Sequence, residues 1–120
     1  MPTLFSFRVG ARAERAAARH LRRLGHTIVE RNVRLGHDEI DIISTVRQIV
    51  VFTEVRFRRA GIIEAAKSVG AAKKSVMQRA ARHYIRRERL KGVSARIDLV
   101  LMTSNGRRFT VTRIRSYCEI

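Results

Sequence analysis

Two consecutive runs, Glu39 to Val46 and Ile49 to Arg58, are rich in β-branched and aromatic residues and are apolar at odd and even positions alike. A strand with one wet face alternates apolar with polar, whereas a strand covered on both faces does not. The two runs therefore belong in the middle of a sheet that is covered on both sides, and Arg47-Gln48 between them is a plausible hairpin turn with weak turn chemistry. In a chain of 120 residues the covers must come from the same domain. The expected architecture is α/β: one domain over residues 1–120, a central mixed β-sheet flanked by helices, in the order α-β-β-β-α-β-β.

The covers are visible. Arg8 to Leu24 reads as an amphipathic helix with Arg8, Arg12, Arg15, Arg19, Arg22 and Arg23 on one side and Val9, Ala13, Ala17, Leu21 and Leu24 on the other, ended by Gly25. A second helix is expected over Ala71 to Arg89, with Val76, Met77, Ala80 and Tyr84 as its apolar stripe. Two charges break these patterns. Glu14 projects toward the apolar edge of the first helix, and Lys73 falls within the stripe of the second rather than on the flank with Lys74, Arg82 and Arg89. A lysine there is costly unless an acidic group receives it.

His26 to Val33 is a first strand candidate, followed by a loop at Arg34-Leu35-Gly36-His37. Ile62 to Gly70 reads as a mobile connection or a helix entry. Ala95 to Met102 and Arg107 to Arg115 form a last strand pair, joined at Ser104-Asn105-Gly106, the strongest hairpin signal in the chain. Across a two-residue Asn105-Gly106 turn, Asp98 would face Arg113 and pair with it.

The chain carries 26 Lys and Arg against 10 Asp and Glu, for a net charge of +16. Such a surface draws polyanions, nucleic acid ahead of an anionic membrane, although an arginine-biased composition alone would raise the charge too. Arg12, Arg15, Arg19, Arg58 and Lys74 are the candidate phosphate contacts. Cys118 is the one cysteine, which excludes an intrachain disulfide and a cysteine-based zinc site; the four histidines are scattered and read as surface or half-buried residues. Met1 to Gly10 lacks the pattern of a signal peptide and no apolar stretch reaches membrane-spanning length, so a cytoplasmic protein without a membrane partner is expected.

Against this basic background Asp38, Glu39 and Asp41 crowd together, and Glu54 follows on the next run. Opposed residues of a hairpin share a face, and with Arg47-Gln48 as the turn, Asp41 lies opposite Glu54. The period of two adds Glu39 and Arg56 to that face. Like charges directly opposed repel, so they need basic partners or a hard divalent cation that uses their oxygens.

Asp41 followed by Glu54-Val55-Arg56 resembles the acid, E-x-K core of the PD-(D/E)XK nucleases, and Glu14 on a preceding helix resembles the extra acidic residue of their Holliday junction resolvase branch. Gly10 to Glu14, Asn32, Glu39-Ile40-Asp41-Ile42-Ile43, Phe52-Thr53-Glu54-Val55-Arg56, Lys73 and Arg96-Ile97-Asp98 resemble, in order and spacing, the UPF0102 (YraN-like) family over nearly the whole chain. Two positions depart from the pattern. Asp38 stands where the family usually has glycine, and Arg56 stands where the general nuclease motif has lysine, as it does in some relatives.

The resemblance implies a restriction-endonuclease-like fold in which Asp41, Glu54 and the Val55 carbonyl bind Mg²⁺ or Mn²⁺. Glu14 would be a further acidic group, Arg56 would contact the scissile phosphate, and Lys73 would enter from the second helix. The implied function is a metal-dependent, structure-selective DNA endonuclease acting on branched or irregular DNA, with a homodimer by analogy. The alternatives are a non-catalytic DNA- or RNA-binding module that kept the fold, and a basic scaffold protein.

Overall fold

The computed structural model describes residues 4–120, with side chains described from Gly10 onward, so the expected sides for Arg8 and Val9 lie outside the described residues. Helix α1 (Leu4–Arg23) leads into strands β1 (Thr27–Leu35), β2 (Asp38–Val46) and β3 (Ile49–Phe57), then helices α2 (Ile62–Lys67) and α3 (Ala71–Arg87), then strands β4 (Ser94–Ser104) and β5 (Phe109–Cys118). The five strands form one sheet in chain order. Every neighbouring pair is antiparallel except β3 and β4, which run parallel. A parallel neighbour needs a crossover, and α2 and α3 supply it.

Both faces of the sheet are covered, as runs apolar at odd and even positions demand. One face packs Ile43, Phe52, Ile97, Leu99 and Leu101 against Met77, Ala80, Ala81 and Tyr84 of α3. The other packs Ile42, Val100 and Met102 against Ala13, Ala17, Ala18 and Leu21 of α1. The neighbours Ile42 and Ile43 therefore serve opposite cores, and both are fully buried. Burying a side chain of this size contributes roughly 1.5–3 kcal/mol, so the pair anchors the helical layers to the sheet.

Three expectations are corrected. The connection after β3 contains the six-residue helix α2, whose Ala65 is buried, so the order is α-β-β-β-α-α-β-β. The first hairpin loop is only Gly36-His37: Leu35 still pairs with Asp38, and Gly36 takes φ +65°, which suits a residue without a side chain. The last hairpin does not turn on Asn105-Gly106 alone. Ser104 pairs with Phe109, and Asn105 Oδ1 accepts hydrogen bonds from the Arg107 and Arg108 amides at 3.0 and 2.9 Å, which closes a four-residue loop. Arg113 consequently stands opposite Val100 and reaches Asp98 along the diagonal, at 3.6 Å.

The turn with weak chemistry is the one that forms as expected. Val46 pairs with Ile49, and Arg47 and Gln48 take φ +48° and +65°. Two left-handed residues match the twist of a two-residue hairpin, and burial of both strands holds them there despite their side chains. Among the described residues no helix is long and apolar enough to cross a membrane.

Candidate functional site

Strand β2 pairs with β3 only from Val46–Ile49 to Ile42–Thr53. Beyond that point β2 continues along β1 to Asp38, while β3 continues along β4 to Phe57. The sheet thus splits between its second and third strands, and Asp41 and Glu54 sit at the apex of the split. The Val55 amide, which has no ladder partner on β2 there, donates to Asp41 Oδ2 at 2.8 Å. The strict alternation also breaks at this point: Ile40 joins the core under α3 while Ile42 joins the core under α1. Across the β1–β2 ladder the corresponding residue, Asn32, adopts φ +52°.

Around the apex the charges are close and partly buried. The Asp41 carboxyl lies within hydrogen-bonding reach of Glu54, and its pKa is pushed up to about 8, first by burial and then by the charge of Glu54. Glu54 is 7% exposed. Its Oε1 receives Lys73 Nζ at 2.9 Å and Arg56 Nη2 at 3.2 Å. The lysine placed in an apolar stripe is thereby explained, because Glu54 lies across from it. Glu14 is half-buried, and its pKa is raised by burial, with Arg31 opposing and Glu39 and Glu54 adding to the shift. The structure thus brings Asp41, Glu54, Arg56 and Lys73 together and sets Glu14 near them.

The other acidic residues have separate fates. Asp38 accepts a two-pronged bond from Arg79 of α3, at 2.8 and 2.7 Å, which holds its pKa below the usual range and pins the start of β2 to the helix. Glu39 is exposed. Asp98, fully buried, is satisfied by Arg96 Nε at 3.0 Å, the Ser116 amide at 2.9 Å and Arg113. His26 is buried more deeply than the surface or half-buried place expected for it: it is 5% exposed, and its Nδ1 lies 2.8 Å from Ser44 Oγ.

Four buried side-chain atoms among the described residues have no hydrogen-bond partner: Glu14 Oε1, Arg31 Nε, Thr53 Oγ1 and Arg56 Nε. Thr53 and Arg56 flank Glu54 on β3, and Arg31 acts on Glu14. Buried polar atoms are rarely left unpaired, so their concentration here fits a place where a polar ligand docks. The donor set suits a hard divalent cation, since it offers carboxylate and carbonyl oxygens and a like-charged pair. Among the described residues no three acidic, histidine or cysteine side chains converge tightly enough to hold an ion by themselves. Asp41, Glu54 and the Val55 carbonyl could therefore hold such an ion only with oxygens from water or a substrate, an arrangement natural for Mg²⁺.

Arg12, Arg15 and Arg19 line an open groove between α1 and the β4–β5 hairpin, and the structure adds Arg107 and Arg108 to them. Phe109 forms part of the wall, with the Arg12 guanidinium 5.9 Å from its ring centre. Sequence reasoning missed the hairpin arginines because they join the groove only through the packing of β5 beside α1. Of the other expected phosphate contacts, Arg58 is exposed and donates to the Phe57 carbonyl, while Lys74 rests 4.8 Å from the Tyr117 ring centre. Neither lines that groove.

Residues 13–102 match the model of a family described as "Uncharacterised protein family UPF0102". A UPF0102 protein of Marinobacter nauticus is 39% identical over 99 residues, which cover 82% of this chain and 80% of the relative. A UPF0102 protein of Coxiella burnetii is 31% identical over 115 residues, covering 94% and 93%. One from Dehalococcoides mccartyi is 39% identical over 92 residues, covering 76% of each.

Proposed function

The chain belongs to the UPF0102 family, and on that premise we propose that it is a nucleic-acid-binding protein of restriction-endonuclease-like fold, acting as a metal-dependent, structure-selective DNA endonuclease. One observation carries the reading: at the split between β2 and β3, Asp41 and Glu54 are held within bonding reach of each other, with Lys73 and Arg56 on the same Glu54 oxygen. A cation held by Asp41, Glu54 and the Val55 carbonyl would polarise a phosphoryl oxygen and acidify bound water. The protein's own groups do the remaining work. The Arg56 guanidinium orients the phosphate and stabilises charge that develops there. Lys73 supplies a second positive group from α3, and the arginine groove on α1 holds backbone phosphates without reading bases.

A second reading is favoured by Arg56 itself. It stands in the lysine position of the nuclease motif and is tied to Glu54, so the same acids and bases would form a closed ion-pair network in a non-catalytic nucleic-acid-binding module. Incubating the protein with duplex, flap, four-way-junction and single-stranded DNA, each with Mg²⁺, Mn²⁺ or EDTA, separates the two. Cutting of branched DNA that needs metal supports the endonuclease; binding without cutting under every condition supports the module.

A further inference from the structure

A second pocket lies at the opposite end of β2 from the acid pair, six residues from Asp41 to Arg47, or roughly 20 Å along the strand. It has a volume of about 200 Å³, and Arg47, Arg96, Arg113, Arg115 and His26 contribute to its wall. These residues come from the β2–β3 turn, from β4, from β5 and from the link between α1 and β1, so the fold assembles the pocket from four separate parts of the chain.

The pocket is strongly unbalanced in charge. Four guanidiniums face one carboxylate, the fully buried Asp98. Asp98 positions two of them, Arg96 and Arg113. Arg96 engages it through Nε, at 3.0 and 3.3 Å, so its terminal amino groups are not used on that carboxylate. Arg113 touches it at 3.6 Å. His26 is fixed by the Ser44 hydroxyl, and its pKa is lowered by burial and by Arg96 and Arg113, as expected beside concentrated positive charge.

We propose that this pocket binds a phosphate dianion. Arginine forks match a tetrahedral oxyanion with paired hydrogen bonds, and a doubly charged ligand offsets most of the excess that four guanidiniums create around a single Asp. The volume is several times the ~30 Å³ of a water molecule, enough for a phosphate and far too small for a duplex. The dianion has two possible sources, free phosphate or the phosphorylated end of a strand. The arginine groove ends next to the pocket, since Arg23 of the groove precedes Leu24 of the pocket in the chain and Val111 stands two positions before Arg113 along β5. The pocket uses none of the residues of the acid pair and stands without the nuclease reading.

The test is calorimetric titration of the whole protein with inorganic phosphate, in EDTA so that no metal-dependent cutting enters. The double variant Arg47→Ala/Arg115→Ala changes exposed positions and preserves the Asp98 contacts; it should bind at least ten-fold more weakly than wild type, as should Arg113→Gln. The triple variant Arg12→Ala/Arg15→Ala/Arg19→Ala should bind phosphate as wild type does. Short single strands with and without a 5′-phosphate then separate the sources: a preference for the phosphorylated strand that the double variant loses assigns a strand end, and phosphate binding without that preference assigns a free phosphate. No saturable phosphate binding by wild type, or binding lost in the groove variant and kept in the double variant, overturns the proposal.

Discussion

Lys73 Nζ lies 2.9 Å from Glu54 Oε1, so a cation within the apolar stripe of α3 is received by a carboxylate of β3 that is almost closed to water. Each charge gives the other its reason to be there. Removing one partner strands the other in a partly dry place, while removing both leaves neither.

Lys73→Met alone should therefore destabilise the fold by about 1–3 kcal/mol, partly relieved by Arg56 on the same oxygen, and Glu54→Gln should lower its further cost. Urea unfolding of both single variants and the double variant measures the coupling. Additive losses would show that the contact contributes nothing.

The raised pKa of Asp41 gives a pH dependence with a definite sign. Between the ordinary value of 3.8 and about 8, the folded protein holds a proton that the unfolded chain releases. Without metal, this group's contribution to stability is greatest at low pH and is lost as pH rises through that window. Asp41→Asn should flatten this fall and raise the melting temperature of the metal-free protein at pH 8 by about 5 °C or more. A variant that melts below wild type at pH 8 would show that the Val55 amide bond matters more than the repulsion.

Gln48 sits at φ +65° in a two-residue turn without hydrogen-bonded side-chain support among the described contacts. Glycine takes that conformation without the roughly 1 kcal/mol cost that a side chain brings. Gln48→Gly should raise the urea midpoint, allowing for the extra entropy of the unfolded chain. An unchanged or lower midpoint would mean that the turn carries no strain.

Neutralising Arg12, Arg15 and Arg19 together should weaken DNA binding and reduce the dependence of log K on log salt by up to about 0.9 per lost phosphate contact on duplex DNA. Binding measured by fluorescence anisotropy between low and moderate salt checks this. A slope equal to that of wild type would remove the α1 groove from the interface.

Much of this architecture was legible in the sequence because burial leaves a pattern. Runs apolar at odd and even positions alike placed β2 and β3 inside a covered sheet, and hairpin parity brought Asp41 toward Glu54. Lys73, misplaced on its helix, pointed to the acid that meets it. The illegible parts depend on geometry that only packing creates. Nothing local announces that β2 joins β3 only from Ile42 onward, so that the strands part just where the acid pair stands. Asn105-Gly106 suggested a two-residue turn, but the Asn105 side chain caps two amides and lengthens the loop, shifting the register. Asp38 looked like part of a metal cluster because its partner, Arg79, lies 41 positions away. His26 and Ser44 meet only because β1 and β2 pair.

The central claim is that Asp41 and Glu54 share a divalent cation, and titrating Mn²⁺ into the protein by calorimetry tests it most directly. Wild type should give a saturable heat and a melting temperature that rises with metal, since an ion bound only by the folded state stabilises it. Asp41→Asn should lose both signals. Equal heats and equal thermal shifts from the two proteins would contradict the claim and leave the acid pair as a structural network closed by Lys73 and Arg56.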